Sequence, residues 1–440
     1  MTDAELLFDT SDRPQRVESF AVSGDRLVRK VLRRDGAVVE TDLGLAPTTA
    51  MGQDDLHAVA DQLLLRLTAA PRWSGGDSPL AIVDLFSGVG SLSLGVLEAA
   101  RAVGVDAEIV LAADEDPNPL EILAASLQPG AGVTRCLDLG STLSGSGEKP
   151  TPGERALLSD CPDEIDVLVA GPPCQGHSRL NNHTRHDDPR NDLYRCVARF
   201  VALKRPRLCL IENVDSIVSD QRRSAATVAN ALRGMSYRVD SGTVALHRLG
   251  VAQTRRRHVM VATRAGQPSL DVDRVVEALA VQHPERRTVR WAIEDLLGLE
   301  KRRAVDEPGQ PSDENARRMA WLHERPRFDL PNDQRPDCHR LPKERESGEK
   351  REHSYKSMYG RLNWDKPAQT ITSGYGSMGQ GRYVHPAETR TLTPHEAARL
   401  QFVPDFFDLE RVAGRGRLAR MIGNVAPLKL SYVLALEFLR

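Results

Sequence analysis

From about Ser78 onward, the chain alternates short apolar runs rich in β-branched residues with helical or loop segments. This alternation is typical of strands joined by crossover connections into a mostly parallel sheet, so the predicted fold class is α/β. The candidate strands are residues 80–86, 107–113, 133–136, 165–170, 207–213, 237–246 and 258–263.

The stretches outside this alternation differ from it in composition. Residues 1–75 form an N-terminal extension whose role the sequence does not reveal. Residues 139–160 are rich in Ser, Gly and Pro, which predicts a mobile surface insertion. After Gln267 the apolar runs thin out, and residues 301–356 combine dense charge with aromatic side chains, which favours a separate small lobe or a long functional insertion over disorder.

Composition excludes several classes of protein. The chain carries 59 Lys and Arg against 61 Asp and Glu, for a net charge of −2, so it lacks the strong basic excess common in proteins that coat nucleic acid. Arginines nevertheless concentrate in residues 179–199 and 255–257. We expect neither a membrane span nor an export signal, which makes the cytoplasm the default location. The six cysteines are widely spaced with no CxxC pair, so neither a disulfide framework nor a metal site is predicted.

The stretch IDVLVAGPPCQGHSRL (165–180) places two prolines and a cysteine directly after an apolar strand. Proline lacks a backbone N–H, so the strand ends there and Cys174 follows at its carboxyl end. Ligands bind at this end of the strands in open α/β sheets. Because a free cysteine is more often a small core residue, the pattern alone leaves both interpretations open.

The stretch LAIVDLFSGVGSLSLG (80–95) is a strand that runs into glycines and then a helix. Ser93 stands where a dinucleotide fingerprint needs its third glycine, and no P-loop lysine follows. We therefore predict a turn whose backbone approaches a ligand closely. Asp114, which follows the next strand, could accept hydrogen bonds from ribose hydroxyls or could cap a helix.

Taken in order, VDLFSGVG, GPPCQGHS, IENV and QTRRR make the chain resemble the cytosine-C5 DNA methyltransferases. The resemblance continues through AQTITSGYG, TRTLTPHEAARLQFVPDFF and MIGNVAP, and covers residues 80–440. It implies a Rossmann-like, S-adenosylmethionine-dependent methyltransferase sheet with a smaller target-recognition domain. The implied reaction moves a methyl group to C5 of a cytosine flipped out of a specific site in double-stranded DNA. Restriction-modification or phage defence would be its setting, with a cognate endonuclease or defence proteins as candidate partners.

The resemblance also assigns domains and residues. Residues 76–266, completed by 420–440, would form the catalytic and cofactor-binding domain, and residues 267–419 the target-recognition and small domain. Cys174 would be the nucleophile, Glu212 the group at N3 of the base and Arg257 a contact to O2. Gln253 and Arg255 would support the side of the base pocket that Arg257 forms. The implied cofactor residues are Asp84, Phe86, Ser87, Gly88, Gly90, Asp114, Glu115, Asp138, Pro172 and Asn424. The implied DNA contacts are Gln175, Ser178, Arg179, Thr370 and Arg390.

The chain departs from the family pattern in two places. Val425 and Ala426 reverse the usual order of sizes after Gly-Asn, and His395 replaces a common arginine. Two rival functions stay open: an RNA cytosine methyltransferase, which the absence of a Cys-Phe-Thr sequence disfavours, and a catalytically silent DNA-binding regulator. The intact set of Cys174, Glu212 and cofactor acids argues against the silent regulator.

Overall fold

The computed structural model describes residues 17–47, 51–73, 78–127, 133–159, 161–173, 193–219, 223–299, 303–336 and 358–440. Its centre is a seven-stranded sheet with the order β6-β5-β4-β7-β8-β10-β9. The strands are β4 (Leu80–Leu85), β5 (Ala107–Asp114), β6 (Thr134–Cys136), β7 (Val167–Ala170), β8 (Leu208–Val214), β9 (Tyr237–Ala245) and β10 (Arg256–Arg264). All seven predicted strands are therefore present, and the α/β class is confirmed.

The sheet is mixed but mostly parallel. Strands β4 to β8 pair in parallel, whereas β10 lies antiparallel between β8 and β9. The central strands are short apolar runs buried on both faces, as expected for a sheet covered by helices on both sides. Because β10 runs the other way, its first residues lie at the same edge as the carboxyl ends of β4, β7 and β8.

Two hydrophobic cores cover the two faces of the sheet. Helices α2 and α13 pack on one face, and α6 and α7 on the other. The α-helices are α1 (Gln53–Leu65), α2 (Ser91–Ala102), α3 (Pro117–Leu127), α4 (Leu139–Thr142), α5 (Pro152–Leu158), α6 (Leu193–Lys204), α7 (Ser224–Gly234), α8 (Val272–Leu279), α9 (Val289–Ile293), α10 (Asp313–Glu324), α11 (Pro394–Leu400), α12 (Arg415–Asn424) and α13 (Lys429–Leu439).

The N-terminal extension is an antiparallel meander of β1 (Glu18–Ser23), β2 (Arg26–Leu32) and β3 (Val38–Leu45), followed by α1. It joins the rest of the protein through buried charges. Asp61 on α1 accepts a hydrogen bond from Lys429 Nζ at 2.7 Å and one from Arg287 Nη2 at 3.2 Å. All three side chains are almost fully buried, so the extension is packed into the molecule rather than appended to it.

The expectation of a mobile insertion over residues 139–160 is wrong for the described part. Helices α4 and α5 occupy about half of it, and Thr151 with Glu154 forms a reciprocal capping box at the start of α5. The buried Glu154 carboxylate also pairs with Arg199 on α6 at 2.7 Å. A capping signal inside a Ser/Gly/Pro-rich stretch therefore outweighs its loop-like composition.

Beyond β10 the chain builds a smaller lobe. Its own core includes Met319 of α10, together with Leu330, Tyr359 and Met378. Within the described residues, one stretch, Arg415–Leu439, has the length and mean hydropathy of a membrane span, but 83% of its most apolar window is buried in the protein. Its apolar side chains are thus covered by the fold itself.

Candidate active site at the carboxyl edge of the sheet

The turn after β4 is tightly shaped. Phe86, Gly88 and Gly90 all have positive φ (57°, 51° and 80°), and Gly90 starts helix α2. A methyl group on Gly90 would lie 2.8 Å from the Leu123 and Leu127 side chains, whereas one on Gly88 would meet nothing within 4 Å. Gly90 is therefore required by packing, and Gly88 leaves its backbone open to a ligand.

Two carboxylates support this turn. Asp114, at the end of β5, accepts hydrogen bonds from Gly88 N at 2.9 Å and Asp116 N at 3.0 Å, and burial raises its pKa. Asp84 is 1% exposed, and its Oδ2 accepts from Ser93 Oγ at 2.7 Å. Burial raises the pKa of Asp84 to about 7, and the charge of Asp114 adds to this rise. Two acids with raised pKa values at one turn are typical of a functional site.

The residues around the turn leave polar atoms for a ligand. Asp84 Oδ1, Ser87 Oγ and Ser91 Oγ are buried without a hydrogen-bond partner in the described structure. Buried polar atoms are usually paired, so these three fit a polar molecule bound at the turn. Glu115 is exposed nearby, and Asp138 caps α4 by accepting from Gly140 N at 2.8 Å. The residues present therefore fit a polar cofactor at this turn.

Strand β7, the neighbour of β4 in the sheet, ends in the turn that leads to the predicted nucleophile. Gly171, Pro172 and Pro173 follow β7, and Asn213 Nδ2 donates to Pro172 O at 3.2 Å. Asn213 is buried and missing from the predicted site, although it stands inside the quoted IENV motif. Its amide ties β8 to the double-proline turn, so it is a positioning residue that the motif signalled.

Glu212 and Arg257 form the most compact pair of the site. Arg257 Nε lies 2.6 Å from Glu212 Oε1, and both side chains are largely buried. The sheet register explains the contact, because Glu212 stands opposite Val259 and Arg257 is two residues from Val259 on the same face. A methyl group on Gly171 would lie 3.8 Å from Glu212 Oε2 and 3.7 Å from Phe86 O. The glycine turn, the proline turn and this ion pair therefore meet at one point.

Gln253 and Arg255, which precede Arg257 in the sequence, are buried and hydrogen-bond to several backbone segments. Gln253 Nε2 donates to Leu400 O at 2.9 Å, and Arg255 Nη1 donates to Ile371 O and to Gly423 O, both at 3.1 Å. Both side chains are at most 2% exposed. They hold the strand, the segment around Ile371 and the end of α12 together, which is a positioning role.

The remaining predicted residues are spread more widely. Cys174, Gln175, Ser178 and Arg179 lie outside the described residues. Asn424 is exposed at the end of α12, and Thr370 O accepts from Tyr383 Oη at 3.0 Å. Arg390 is bound to both carboxylate oxygens of Glu396 at 2.6 and 2.7 Å. This ion pair favours a role inside the lobe, so the DNA contact of Arg390 stays a prediction.

His395, one departure from the family pattern, is held between two carboxylates. His395 Nδ1 is 2.8 Å from Asp306 Oδ1, and its Nε2 is 2.9 Å from Asp405 Oδ1. His395 thus links α11 to two neighbouring segments. Val425, another departure, is buried directly after the exposed Asn424, so the cofactor contact of Asn424 stays a prediction.

The described cysteines offer no rival nucleophile of comparable placement. Cys161, Cys196 and Cys209 are buried, and burial raises the pKa of Cys209 well above its usual value. Cys136 is exposed, and its Sγ lies 3.6 Å from Glu115 O at the end of β6. None of the four follows a strand of the central part of the sheet next to Glu212.

A mostly parallel sheet with a glycine turn, paired acids and an Arg–Glu pair at its carboxyl edge defines the Rossmann-like methyltransferase class. The S. pombe Dnmt2 methyltransferase shares this fold, with a TM-score of 0.51 and 17% identity over 82% of this chain and 98% of that one. The chain belongs to the C-5 cytosine-specific DNA methylase family, whose model matches residues 80–440. It is therefore a DNA (cytosine-5-)-methyltransferase.

Two curated relatives extend the comparison. Type II methyltransferase M1.BsuMI of Bacillus subtilis is 39% identical over 97% of this chain and 96% of its own length. Type II methylase M.HgiDII of Herpetosiphon aurantiacus is 29% identical over 81% of this chain and 94% of its own length. The first alignment spans 426 residues, so it reaches into the N-terminal extension, which precedes the family match.

Proposed function

We propose that the chain transfers a methyl group from S-adenosylmethionine to C5 of a cytosine that has been flipped out of a specific duplex DNA site. The observation that carries the proposal is the 2.6 Å Glu212–Arg257 pair beside the turn that leads into Cys174. A base must leave the helix to reach such a recessed pair, at a cost of a few kcal/mol.

In this proposal the reaction begins at Cys174. Its thiolate adds to C6 of the cytosine, which turns C5 into a carbon nucleophile. Arginines that follow Cys174 in the sequence favour the thiolate. Glu212 stabilises the electron density that moves to N3, and Arg257 contacts O2. After methyl transfer a base removes the C5 proton, the C6–S bond breaks and the thiolate is restored.

S-adenosylmethionine supplies the electrophilic methyl group on its sulfonium when it is bound. We assign it to the glycine turn because the open backbone of Gly88 and the unpartnered Asp84 and Ser87 oxygens fit a polar cofactor. Asp114 would take the ribose hydroxyls, and Phe86 the adenine ring. Asn424 would hold the methionine end.

We also infer a setting in restriction-modification in the cytoplasm. Two full-length relatives carry Type II methyltransferase names, which supports a role in marking host DNA against a cognate endonuclease. Target choice would lie in residues 267–364, where charged and aromatic residues form the smaller lobe.

Bisulfite sequencing of chromosomal DNA tests the proposal. A host without cytosine methylation that expresses the chain is expected to show protected cytosines within one recurring sequence. Glu212→Gln should abolish protection while calorimetry still shows S-adenosylmethionine binding, because Glu212 acts on the base. If every cytosine remains convertible with the parent protein, the proposed function is wrong.

A further inference from the structure

Helix α12 presents a basic stripe to solvent. Its buried side carries Leu418 and Ile422, one turn apart, whereas Arg417, Arg420 and Asn424 are exposed. Spacings of three and four residues place these three side chains on one face of the helix. Asn424 also belongs to the predicted cofactor site, so this face begins at the site and runs away from it.

The end of α12 is fixed directly to the wall of the active site. Arg255 Nη1 bonds both Gly423 O and Ile371 O, and Arg255 is two residues from Arg257. A methyl group on Gly423 would lie 2.2 Å from Ser373 N, so helix and segment are in close backbone contact. The carboxyl end of the stripe therefore has a fixed position relative to Arg255 and to the segment around Ile371.

The charge of the stripe is not neutralised by the protein. Neither Arg417 nor Arg420 makes a side-chain hydrogen bond or ion pair in the described structure, whereas the neighbouring Arg415 pairs with Glu307 at 3.2 Å. The helix sequence RGRLARMIGN contains no acidic residue. Exposed arginines without acidic partners next to an active site are suited to an anion.

We propose that Arg417 and Arg420 bind phosphates of the DNA backbone that flanks the target base. The proposal rests on the proposed function, because it takes duplex DNA as the substrate. The two residues lie about 4.5 Å apart along the helix axis and can reach neighbouring phosphates of one strand. Such contacts position the duplex and carry no sequence information.

The test measures binding separately from methylation. Fluorescence anisotropy gives the affinity of Arg417→Gln/Arg420→Gln for a labelled duplex at several salt concentrations. The slope of log affinity against log salt should fall by about 1.8, or about 0.9 for each arginine, with an affinity loss of roughly tenfold or more at ~0.1 M salt. Arg274→Gln is the matched control, since Arg274 is an exposed arginine on a different helix, α8. It should leave the slope unchanged.

The salt slope, the affinity for S-adenosylmethionine and the bisulfite pattern together distinguish the possible outcomes. An unchanged slope in the double variant would overturn the phosphate contact. A loss of S-adenosylmethionine affinity with an unchanged slope would overturn it too, and would place the arginines at the cofactor. The bisulfite pattern of the parent protein reports on the proposed function. If the parent methylates DNA but the double variant keeps the parent's salt slope, phosphate binding by Arg417 and Arg420 is refuted and the proposed function is not.

Discussion

The contact between Glu212 and Arg257 exists before any substrate binds. The two residues lie on adjacent antiparallel strands, and the register puts them at diagonal positions on one face of the sheet. Each is charge-compensated by the other without a substrate. A flipped cytosine would thus meet two groups already aligned, which reduces the ordering that the reaction requires.

Asp84 yields a pH-dependent prediction. Its pKa is raised to about 7 in the folded protein from an ordinary value of 3.8, so the folded state binds the proton more tightly. The resulting stabilisation is fully present below pH 3.8 and is lost as the pH rises through about 7. Relative to Asp84→Asn, the free energy of unfolding of the parent should fall by about 3 kcal/mol between pH 5 and pH 8.

Urea unfolding of both proteins without cofactor checks this prediction. Titrating groups that do not interact with Asp84 cancel in the difference between parent and variant, whereas Asp114, whose charge raises the pKa of Asp84, titrates together with it. A difference that stays constant from pH 5 to pH 8 would show that Asp84 is not the titrating group.

Two glycines of α12 should respond in opposite directions to the same substitution. Gly423→Ala forces a methyl group within 2.2 Å of Ser373 N, which should cost roughly 1–3 kcal/mol of unfolding free energy. Gly416→Ala meets nothing within 4 Å and should gain up to about 1 kcal/mol from helix propensity. Thermal unfolding of the two variants tests the pair. Equal effects would contradict the close contact between α12 and the segment around Ser373.

The N-terminal helix α1 yields a second contrast. Asp61→Asn leaves Lys429 and Arg287 buried without their carboxylate, and breaking such a network should cost about 3–5 kcal/mol. Asp55→Asn on the same helix removes only an exposed pair with Arg286, worth at most about 1 kcal/mol. Chemical denaturation separates the two variants. Similar small losses would mean that the extension is not integral to the fold.

The sequence predicts those elements that depend on residues close together in the chain. The seven strands and the turns after β4 and β7 follow from apolar runs, glycines and prolines. The antiparallel placement of β10 could not be read in this way, because pairing partners are distant in sequence. The burial of Asp61 against Lys429, 368 residues away, is equally non-local. Asn213 could have been found, since it neighbours Glu212 in the same motif.

At the scale of the whole molecule, the extension joins the two larger units. Helix α1 binds Lys429 of the C-terminal helix, and Gln62 Nε2 also donates to Trp291 O at 2.8 Å in the segment that leads to the small lobe. These two contacts constrain the position of the segment around Trp291 relative to the C-terminal helix.

The proposed role of residues 267–364 in target choice can be tested by exchanging this segment between relatives. A chimera that carries residues 267–364 on a relative of known target should methylate the sequence of the donor chain, because the catalytic edge is unchanged. Bisulfite sequencing identifies the methylated sites. An active chimera that still methylates the recipient's own site would locate target choice elsewhere.

The most direct measurement concerns the bond between Cys174 and the base. A duplex with 5-fluorocytosine at the methylated position should be methylated and then trapped, since fluorine cannot leave C5 as a proton does. The account predicts a denaturation-resistant adduct whose peptide maps to Cys174, and its loss together with methylation in Cys174→Ala, with S-adenosylmethionine affinity retained. Methylation by Cys174→Ala, or an adduct that maps to Cys196 or another cysteine, would contradict it.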